Sequence, residues 1–266
     1  MDVTSMLLVE MIERIQTDSL LDGISKTLGL EEGASLNALF NLEELHLTAM
    51  TYKRGKIPGR DGLPVELYVE LWDLIGLDLL GLYEEMVGKG SMPQPLGEGM
   101  IMLLSKQKGE REDLKNWRPI PLLNVDYKIL VKVMANRLKK VTAKIVHPDH
   151  SCWTQGRQIM DSLALVWDMI VYVKSQKVQA ALVGLNQKKA FNCVSHEFMD
   201  TTLRALGLRD FICDLTTTIY RDISSTVLVN GWKTILFPAL SGVRHGCPVS
   251  PLLFICVIEL LTDRTR

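Results

Sequence analysis

Helical and strand-like patterns alternate along this chain. The longest helical pattern covers Asp126 to Ile145, where apolar residues fall on one face and lysines on another. Short apolar runs predict buried strands at Met100–Leu104 and Ala180–Leu185. Further helices are predicted at about Ile159–Val173, His196–Leu206, Phe211–Tyr220 and from Pro251 onward. The mixture predicts an α/β fold, strictly α+β.

The first 95 residues are predominantly helical by pattern and form a predicted lead-in to the remainder, 96–266. Apolar residues recur at helical spacing within Met1–Leu30. Asn41 and Glu44 form a capping-box pattern for a helix that should reach about Tyr52. A loop rich in Gly and Pro follows, and Pro64 then suits the first turn of another helix.

Two turns in the second half of the chain have clear signals. Asn230-Gly231 joins two strand patterns, Ser225–Val229 and Lys233–Phe237, and predicts a hairpin. Polar residues from Asn186 to Lys189 follow the apolar run at 180–185, and Ser195 is placed to cap the next helix. A strand that ends in polar residues before a helix is a common location for a functional site.

Composition is that of a globular protein, with 47% hydrophobic and 23% charged residues among 266. Five cysteines without a Cys-x-x-Cys pair indicate neither a disulfide framework nor a zinc ribbon. The segment His147–Cys152 contains metal-ligand residue types, but no second cluster accompanies it at a matching spacing. No leader or membrane-spanning stretch is recognisable, so we expect an intracellular protein without a membrane partner.

Charge is distributed unevenly although the net charge is −1. Residues 1–50 hold nine acidic and two basic residues, whereas residues 103–144 hold eleven basic and four acidic ones. A local basic excess is typical of a surface that binds a polyanion such as RNA or DNA. An ordinary solvated face explains the same pattern, and charge alone does not separate the two interpretations.

Four segments, in order, resemble the reverse transcriptase domain of non-LTR (LINE-type) retrotransposons. Arg54–Pro64 is similar to the Gly-Lys-x-Pro-Gly-x-Asp-Gly lead-in, and Asn116–Asn124 to Asn-Trp-Arg-Pro-Ile-Ser-Leu-Leu. Leu185–Asn192 is similar to the first palm motif, Leu-Asp-x-x-Lys-Ala-Phe-Asp. Ser241–Phe254 is similar to the second, Arg-Gly-Val-Arg-Gln-Gly-Cys-Pro-Leu-Ser-Pro-Leu-Leu-Phe. Four motifs in the family order make chance an unlikely explanation.

The resemblance implies a right-hand polymerase fold with fingers at about 96–175 and part of the palm at about 176–266. It also implies RNA-directed DNA synthesis with Mg²⁺, in which carboxylates grip two metal ions. The position of the first motif aspartate is Asn186. The residues that the resemblance assigns to nucleotide or template binding are Lys106, Arg118, Arg157, Phe191, Arg244, Gly246, Pro248 and Ser250.

The chain departs from the family pattern where the metal should bind. Asn186 and Asn192 replace both aspartates of the first motif, while Ser241 and His245 replace Arg and Gln in the second. The family's paired-Asp hairpin should follow the second motif, and Asp-Asp occurs nowhere in this sequence. Because an amide lacks the charge that neutralises Mg²⁺, we expect an inactive enzyme that binds no metal.

Two expectations follow from the missing hairpin. The helix from Pro251 should find little to pack against, and the exposed apolar surface should promote self-association. The alternative function is a non-catalytic nucleic-acid-binding remnant that acts through its basic fingers region. Binding of RNA or DNA should then be weak, independent of sequence and sensitive to salt.

Overall fold

The computed structural model describes residues 24, 26–29, 31, 33–110 and 112–263. Within this range the chain has a mixed α/β fold, which confirms the predicted class. The helical pattern predicted within Met1–Leu30 lies almost wholly outside the described residues. Among the helices that the structure describes, none is long and apolar enough to cross a membrane.

The lead-in is built from α1 (Leu42–Met50), α2 (Val65–Glu70), α3 (Trp72–Lys89) and the single turn α4 (Gln94–Gly97). Asn41 caps α1 as predicted, since its Oδ1 accepts a hydrogen bond from the Glu44 amide at 2.7 Å. The helix predicted after Pro64 is broken at Leu71, so that α2 and α3 are separate elements.

A five-stranded sheet follows the lead-in. Its members are β1 (Glu98–Ser105), β2 (Trp117–Leu123), β3 (Ser224–Val229), β4 (Trp232–Lys233) and β5 (Phe237–Pro238). The order is β2-β1-β3-β4, with β1 antiparallel to β2 and parallel to β3, and β5 also pairs with β3. The predicted hairpin at Asn230-Gly231 forms between β3 and β4, but its second strand is interrupted before Phe237.

No strand was predicted at β2, whose sequence contains two prolines, a residue that is rare inside sheets. Pro119 and Pro121 are two residues apart, so the N–H donors that they lack would both point to the same edge of the strand. Register with β1 is unbroken from Ser105↔Trp117 to Gly99↔Leu123, which indicates that the missing donors face outward. Prolines are tolerated here because β2 is an edge strand.

The central helix α5 (Val125–Ile145) organises the hydrophobic core. Thirteen of its residues are buried, far more than one amphipathic face requires. The lead-in packs on it directly: Tyr52 Oη donates to the Lys128 carbonyl at 2.8 Å and Tyr83 Oη to the Asp126 carbonyl at 2.6 Å. Buried residues of the lead-in and of the remainder belong to one continuous core, and the division near residue 95 stays a prediction.

The predicted buried strand at Ala180–Leu185 does not form. After α6 (Ile159–Gln176) the chain is irregular and exposed, with Leu182 at 76% and Leu185 at 88% relative exposure. An extended segment is stable as a strand only where its backbone groups find partners. Both edges of β1 and of β3 are occupied, the outer edge of β2 lacks two donors, and β4 and β5 offer only two residues each. The apolar run is therefore left unpaired.

Three helices complete the described chain: α7 (His196–Ala205), α8 (Asp210–Tyr220) and α9 (Ser250–Asp263). The expectation that α9 would find little to pack against is wrong. Leu252, Leu253 and Ile255 are buried, because α5 and α7 together provide an apolar surface for this helix. Comparison of the sequence motifs could not predict this packing surface, because it forms only when the helices come together.

Candidate active site and nucleic-acid interface

The first palm motif is a tight turn between an exposed segment and α7. Asn186 lies in the exposed segment, and a 3₁₀ turn follows at Ala190–Cys193. Lys189 precedes this turn in the left-handed region, with φ of 52°. Ser195 then caps α7, as predicted, by accepting from the Phe198 amide at 3.4 Å. The turn itself is ordered by hydrogen bonds, whereas the position of the motif aspartate is on a segment without a sheet partner.

The fold brings the two palm motifs together. The Val243 amide donates to the Phe191 carbonyl and the Gly242 amide to the Val194 carbonyl, both at 2.7 Å. Gly242 has φ of 87°, and a Cβ there would lie 2.8 Å from the Phe191 carbonyl oxygen. Only glycine fits this position, because both the backbone conformation and the close approach exclude a side chain. The two motifs are therefore in direct contact through their backbones.

Phe191, which the resemblance assigns to nucleotide or template binding, is half buried. Its ring lies 4.7 Å from that of Phe254 and 5.5 Å from that of His245, measured between centroids. Phe254 is on α9 and belongs to the partly buried apolar residues around the core. Phe191 therefore anchors the first motif on the second, and part of its ring stays accessible beside the turn.

Three departures from the family pattern meet in one cluster, which sequence comparison alone did not reveal. His245 Nε2 and Asn192 Oδ1 are 2.8 Å apart, and the Ser241 hydroxyl donates to the Asn192 carbonyl at 3.3 Å. An imidazole N–H can donate to an amide oxygen. The positions that lack the family's Asp and Arg are therefore linked by hydrogen bonds, and substitutions at separate motifs become one structural change.

Arg244, predicted to bind nucleotide or template, lies in the interior. Its guanidinium packs over the Tyr127 ring at 4.7 Å and donates from Nη2 to the Gly97 carbonyl at 2.6 Å. The neighbouring glycine, Gly99, leaves room for it, since a Cβ there would lie 3.1 Å from Nη2. This arginine joins the second motif to β1 and α5, and its charge does not face solvent.

The turn into α9 combines exposed and buried residues of the predicted site. Gly246 is exposed with φ of 74°, and a Cβ there would lie 3.2 Å from the Pro121 carbonyl oxygen of β2. Pro248 is half buried, while Ser250 is buried with its hydroxyl 3.0 Å from Tyr220 Oη. The second motif therefore abuts the fingers strand, and the Ser250 side chain serves the interior.

Lys106 and Arg118 lie at the distal end of the β1–β2 pair, within the predicted fingers region. Lys106 donates from its amide to the Asn116 carbonyl at 2.8 Å, and its Nζ donates to the Lys115 carbonyl at 2.7 Å. Arg118 pairs with Leu104 in the register and its side chain is exposed. Of the two predicted phosphate ligands, Arg118 presents its charge to solvent, and Lys106 shares its ammonium with a turn.

Arg157 has a structural role that its motif did not suggest. Its guanidinium donates to the carbonyls at the end of α5 and in the following turn, those of Ala143, Val146, His147 and His150. A cation at the carboxyl end of a helix satisfies free carbonyls and complements the helix dipole. The resemblance assigned this arginine to template binding, whereas its hydrogen bonds cap the longest helix.

The lysines of α5 form a stripe along its exposed side. Burial lowers the pKa of Lys128 and of Lys132, and Asp61 and Asp126 near Lys128 partly oppose the shift there. Lys140 and Lys144, further along the same stripe, are exposed. The lysines that cause the basic excess are therefore exposed at the carboxyl end of the helix and partly buried at its amino end.

The residues present do not fit a two-metal site. Asn186 offers a neutral amide, and within the described residues no group of three His, Cys, Asp or Glu side chains is placed to hold a metal ion. Asp200 on α7 is a partly buried carboxylate, but Arg204 Nε contacts it at 2.9 Å and the Thr217 hydroxyl donates to it at 3.1 Å. The described residues around Asn186 therefore offer Mg²⁺ no carboxylate cluster.

Comparison with known proteins agrees with the resemblance seen in the motifs. The family model described as reverse transcriptase (RNA-dependent DNA polymerase) matches residues 105–266. The Transposon TX1 uncharacterized 149 kDa protein of Xenopus laevis is 34% identical over 224 residues, which is 84% of this chain and 17% of that protein. A retrovirus-related Pol polyprotein from a type-1 retrotransposable element R2 of Popillia japonica is 28% identical over 208 residues, covering 77% of this chain and 28% of the relative. The chain thus spans less than a third of the length of these relatives.

Proposed function

Since this chain belongs to the reverse transcriptase family of non-LTR retrotransposon Pol proteins, we propose that it is a reverse transcriptase domain that cannot polymerise by itself. The observation that carries this proposal is Asn186. It occupies the position of the motif aspartate, and its side chain is a neutral amide on an exposed, unpaired segment. Nucleotidyl transfer needs anionic ligands that hold two metal ions in a defined geometry. This position supplies neither the charge nor the rigidity.

The hydrogen-bonded cluster around Asn192 supports the same conclusion. In the family pattern the positions of Asn192 and Ser241 carry an acid and a base, and here both charges are missing together. His245 and Ser241 nevertheless hold the two motifs in contact through Asn192. The scaffold of the palm turn is thus stabilised without the charges, which suits a domain that keeps its fold after losing its chemistry.

A primer-extension assay with an RNA template, in Mg²⁺ and separately in Mn²⁺, tests the catalytic part. The chain should give no product above a protein-free control. The variant Asn186→Asp should remain inactive, because catalytic ligands act as a unit and one of them restored alone recovers little. Extension by the unmodified chain would refute the argument from Asn186. Extension by Asn186→Asp alone would show that other residues of this chain complete a metal site.

The second candidate, nucleic-acid binding without catalysis, rests on a different observation. Lys132, Lys140 and Lys144 lie along one side of α5, and Arg118 is exposed at the fingers end. Such a surface neutralises phosphates through charge, so affinity should fall steeply as salt displaces the protein. Base-specific readout has no evident basis, since the named groups are point charges or a single exposed fork.

Fluorescence anisotropy with single-stranded RNA, measured over a series of salt concentrations, tests this candidate. Lys132→Ala with Lys140→Ala should weaken binding for every sequence and reduce the salt slope by about one phosphate contact for each active lysine. The matched control is Lys174→Ala with Lys233→Ala, which removes the same charge from α6 and β4. Equal effects of the two pairs would show that net charge alone attracts the RNA. Binding insensitive to salt would exclude a phosphate-directed mode.

A further inference from the structure

Helix α6 contributes nothing to the core of the described chain. None of its eighteen residues is buried, although its sequence is among the most apolar in the protein. Trp167 is 68% exposed and Tyr172 63%. Six further apolar residues are also more than half exposed: Ile159, Met160, Leu163, Leu165, Met169 and Val171. Contiguous apolar surface of this extent is rare on a monomer and marks an interaction site.

The outward side of α6 can be identified from its burial pattern. Ser162, Val166 and Val173 are half buried, and their spacing of four and seven residues marks the side that faces the rest of the molecule. The opposite side carries a second regular stripe, formed by Met160, Ala164, Trp167 and Val171. Steps of four, three and four residues are those of a seam between two packed helices. We call this stripe the outer seam.

The charges on and after α6 indicate that the outer seam binds another protein helix of the same kind. Between residues 159 and 185 the charged residues are Asp161, Asp168, Lys174 and Lys177, and the two acids cancel the two bases. A neutral apolar helix has no attraction for a polyanion. Its first turn is acidic, through Asp161, and its last turn basic, through Lys174. Two such helices are complementary when they lie antiparallel, since each acidic end then lies beside a basic end.

We propose that the outer seam of α6 binds the outer seam of a second copy of this chain, with the two helices antiparallel. The contact is isologous, and its two-fold axis passes near the middle of the helix, between residues 167 and 168. Each Trp167 then lies close to its symmetry mate, and Ala164 of one copy opposes Val171 of the other. A small residue opposite Val171 lets the helices approach on both sides of the central tryptophans. This inference is independent of whether the domain polymerises.

Sedimentation equilibrium of the full chain measures the association. The unmodified chain should form dimers, and Trp167→Glu should raise the dimer dissociation constant by about thirtyfold or more, as expected for a central aromatic anchor. The matched control is Leu114→Glu, a change of the same kind at a residue that is 77% exposed in the fingers. It should leave the dissociation constant unchanged. A monomer at all concentrations, or equal effects of the two variants, would overturn the proposal.

Disulfide trapping tests the orientation even if a variant is less stable. Cys152 and Cys193, the cysteines that are not buried, are first replaced by Ser. Ala164→Cys and Val171→Cys proteins, mixed before oxidation, should form mixed dimers. Homodimers through position 164 should be scarce, because two residues seven apart on antiparallel helices are separated by about 10 Å along the axis, beyond disulfide reach. Homodimers in place of mixed dimers would show a parallel pair. Absence of both products would show that another partner covers the seam.

Discussion

Replacement of Arg137 by Met should destabilise this protein more than replacement of any surface arginine. Arg137 is on α5 with a side chain only 6% exposed, and it contacts both carboxylate oxygens of Glu44, at 3.0 and 2.6 Å. It also donates to the carbonyls of Ala38 and Leu39. Methionine keeps most of the packing volume but leaves the Glu44 carboxylate and two carbonyls without this donor.

The size of the effect follows from burial. Breaking a buried ion pair by removing one partner costs about 3–5 kcal/mol, because the remaining charge is left uncompensated. Glu44 keeps 26% of its side-chain exposure, so water relieves part of this cost and the lower end, about 3 kcal/mol, is expected. For a protein of this size that corresponds to a melting temperature lower by roughly 6–12 °C. Glu44→Gln should cost less, and the double variant should show coupling between the two sites.

Arg204 is the control, since it makes more ion pairs in a wetter place. It contacts Asp200 at 2.9 Å, Asp214 at 2.7 Å and Asp210 at 3.4 Å, and its side chain is 42% exposed. Exposed pairs contribute little each, so Arg204→Met should cost no more than about 1 kcal/mol. Urea unfolding followed by circular dichroism measures both variants. An equal loss for Arg204→Met and Arg137→Met would refute the reasoning that burial, rather than the number of ion pairs, determines the cost.

Two further outcomes follow from side-chain environments. Burial raises the pKa of the Cys213 and Cys256 thiols to about 12. The native protein should therefore react quickly with a thiol reagent at Cys152 and Cys193 only, and at all five cysteines in denaturant. Fast reaction of a third cysteine in the native protein would contradict this burial. Burial also raises the pKa of the Asp126 carboxyl, so the stability linked to this group is fully present below its unfolded pKa of about 3.9 and is lost as pH rises through the folded pKa. Asp126→Asn should therefore increase the free energy of unfolding at neutral pH and flatten its pH dependence above about pH 4, as measured by urea titrations. A variant that is less stable than the original at pH 7 would contradict the expected direction of the change.

The sequence by itself determined the elements that depend on local interactions. The cap at Asn41, the helices α5 and α7 and the turn at Asn230-Gly231 are set by neighbours within a few residues, and each is present in the structure. The family motifs could also be identified from the sequence, because a run such as Asn116–Asn124 is specific whatever structure it adopts. Local free-energy terms of this kind need no knowledge of distant partners.

Only the tertiary structure decided what depends on partners far along the chain. Apolar composition at 180–185 predicted a strand, but in the described sheet β1 and β3 are paired on both edges, β2 has prolines, and β4 and β5 are two residues long. Arg157 and Arg244 are basic residues in predicted binding motifs, and folding brings to each of them backbone carbonyls to which its guanidinium donates. Asn192 and His245 are 53 residues apart in the chain, and the fold joins them by a hydrogen bond. A backbone group or buried charge is stabilised by whichever partner the fold supplies, and that choice is not written in the local pattern.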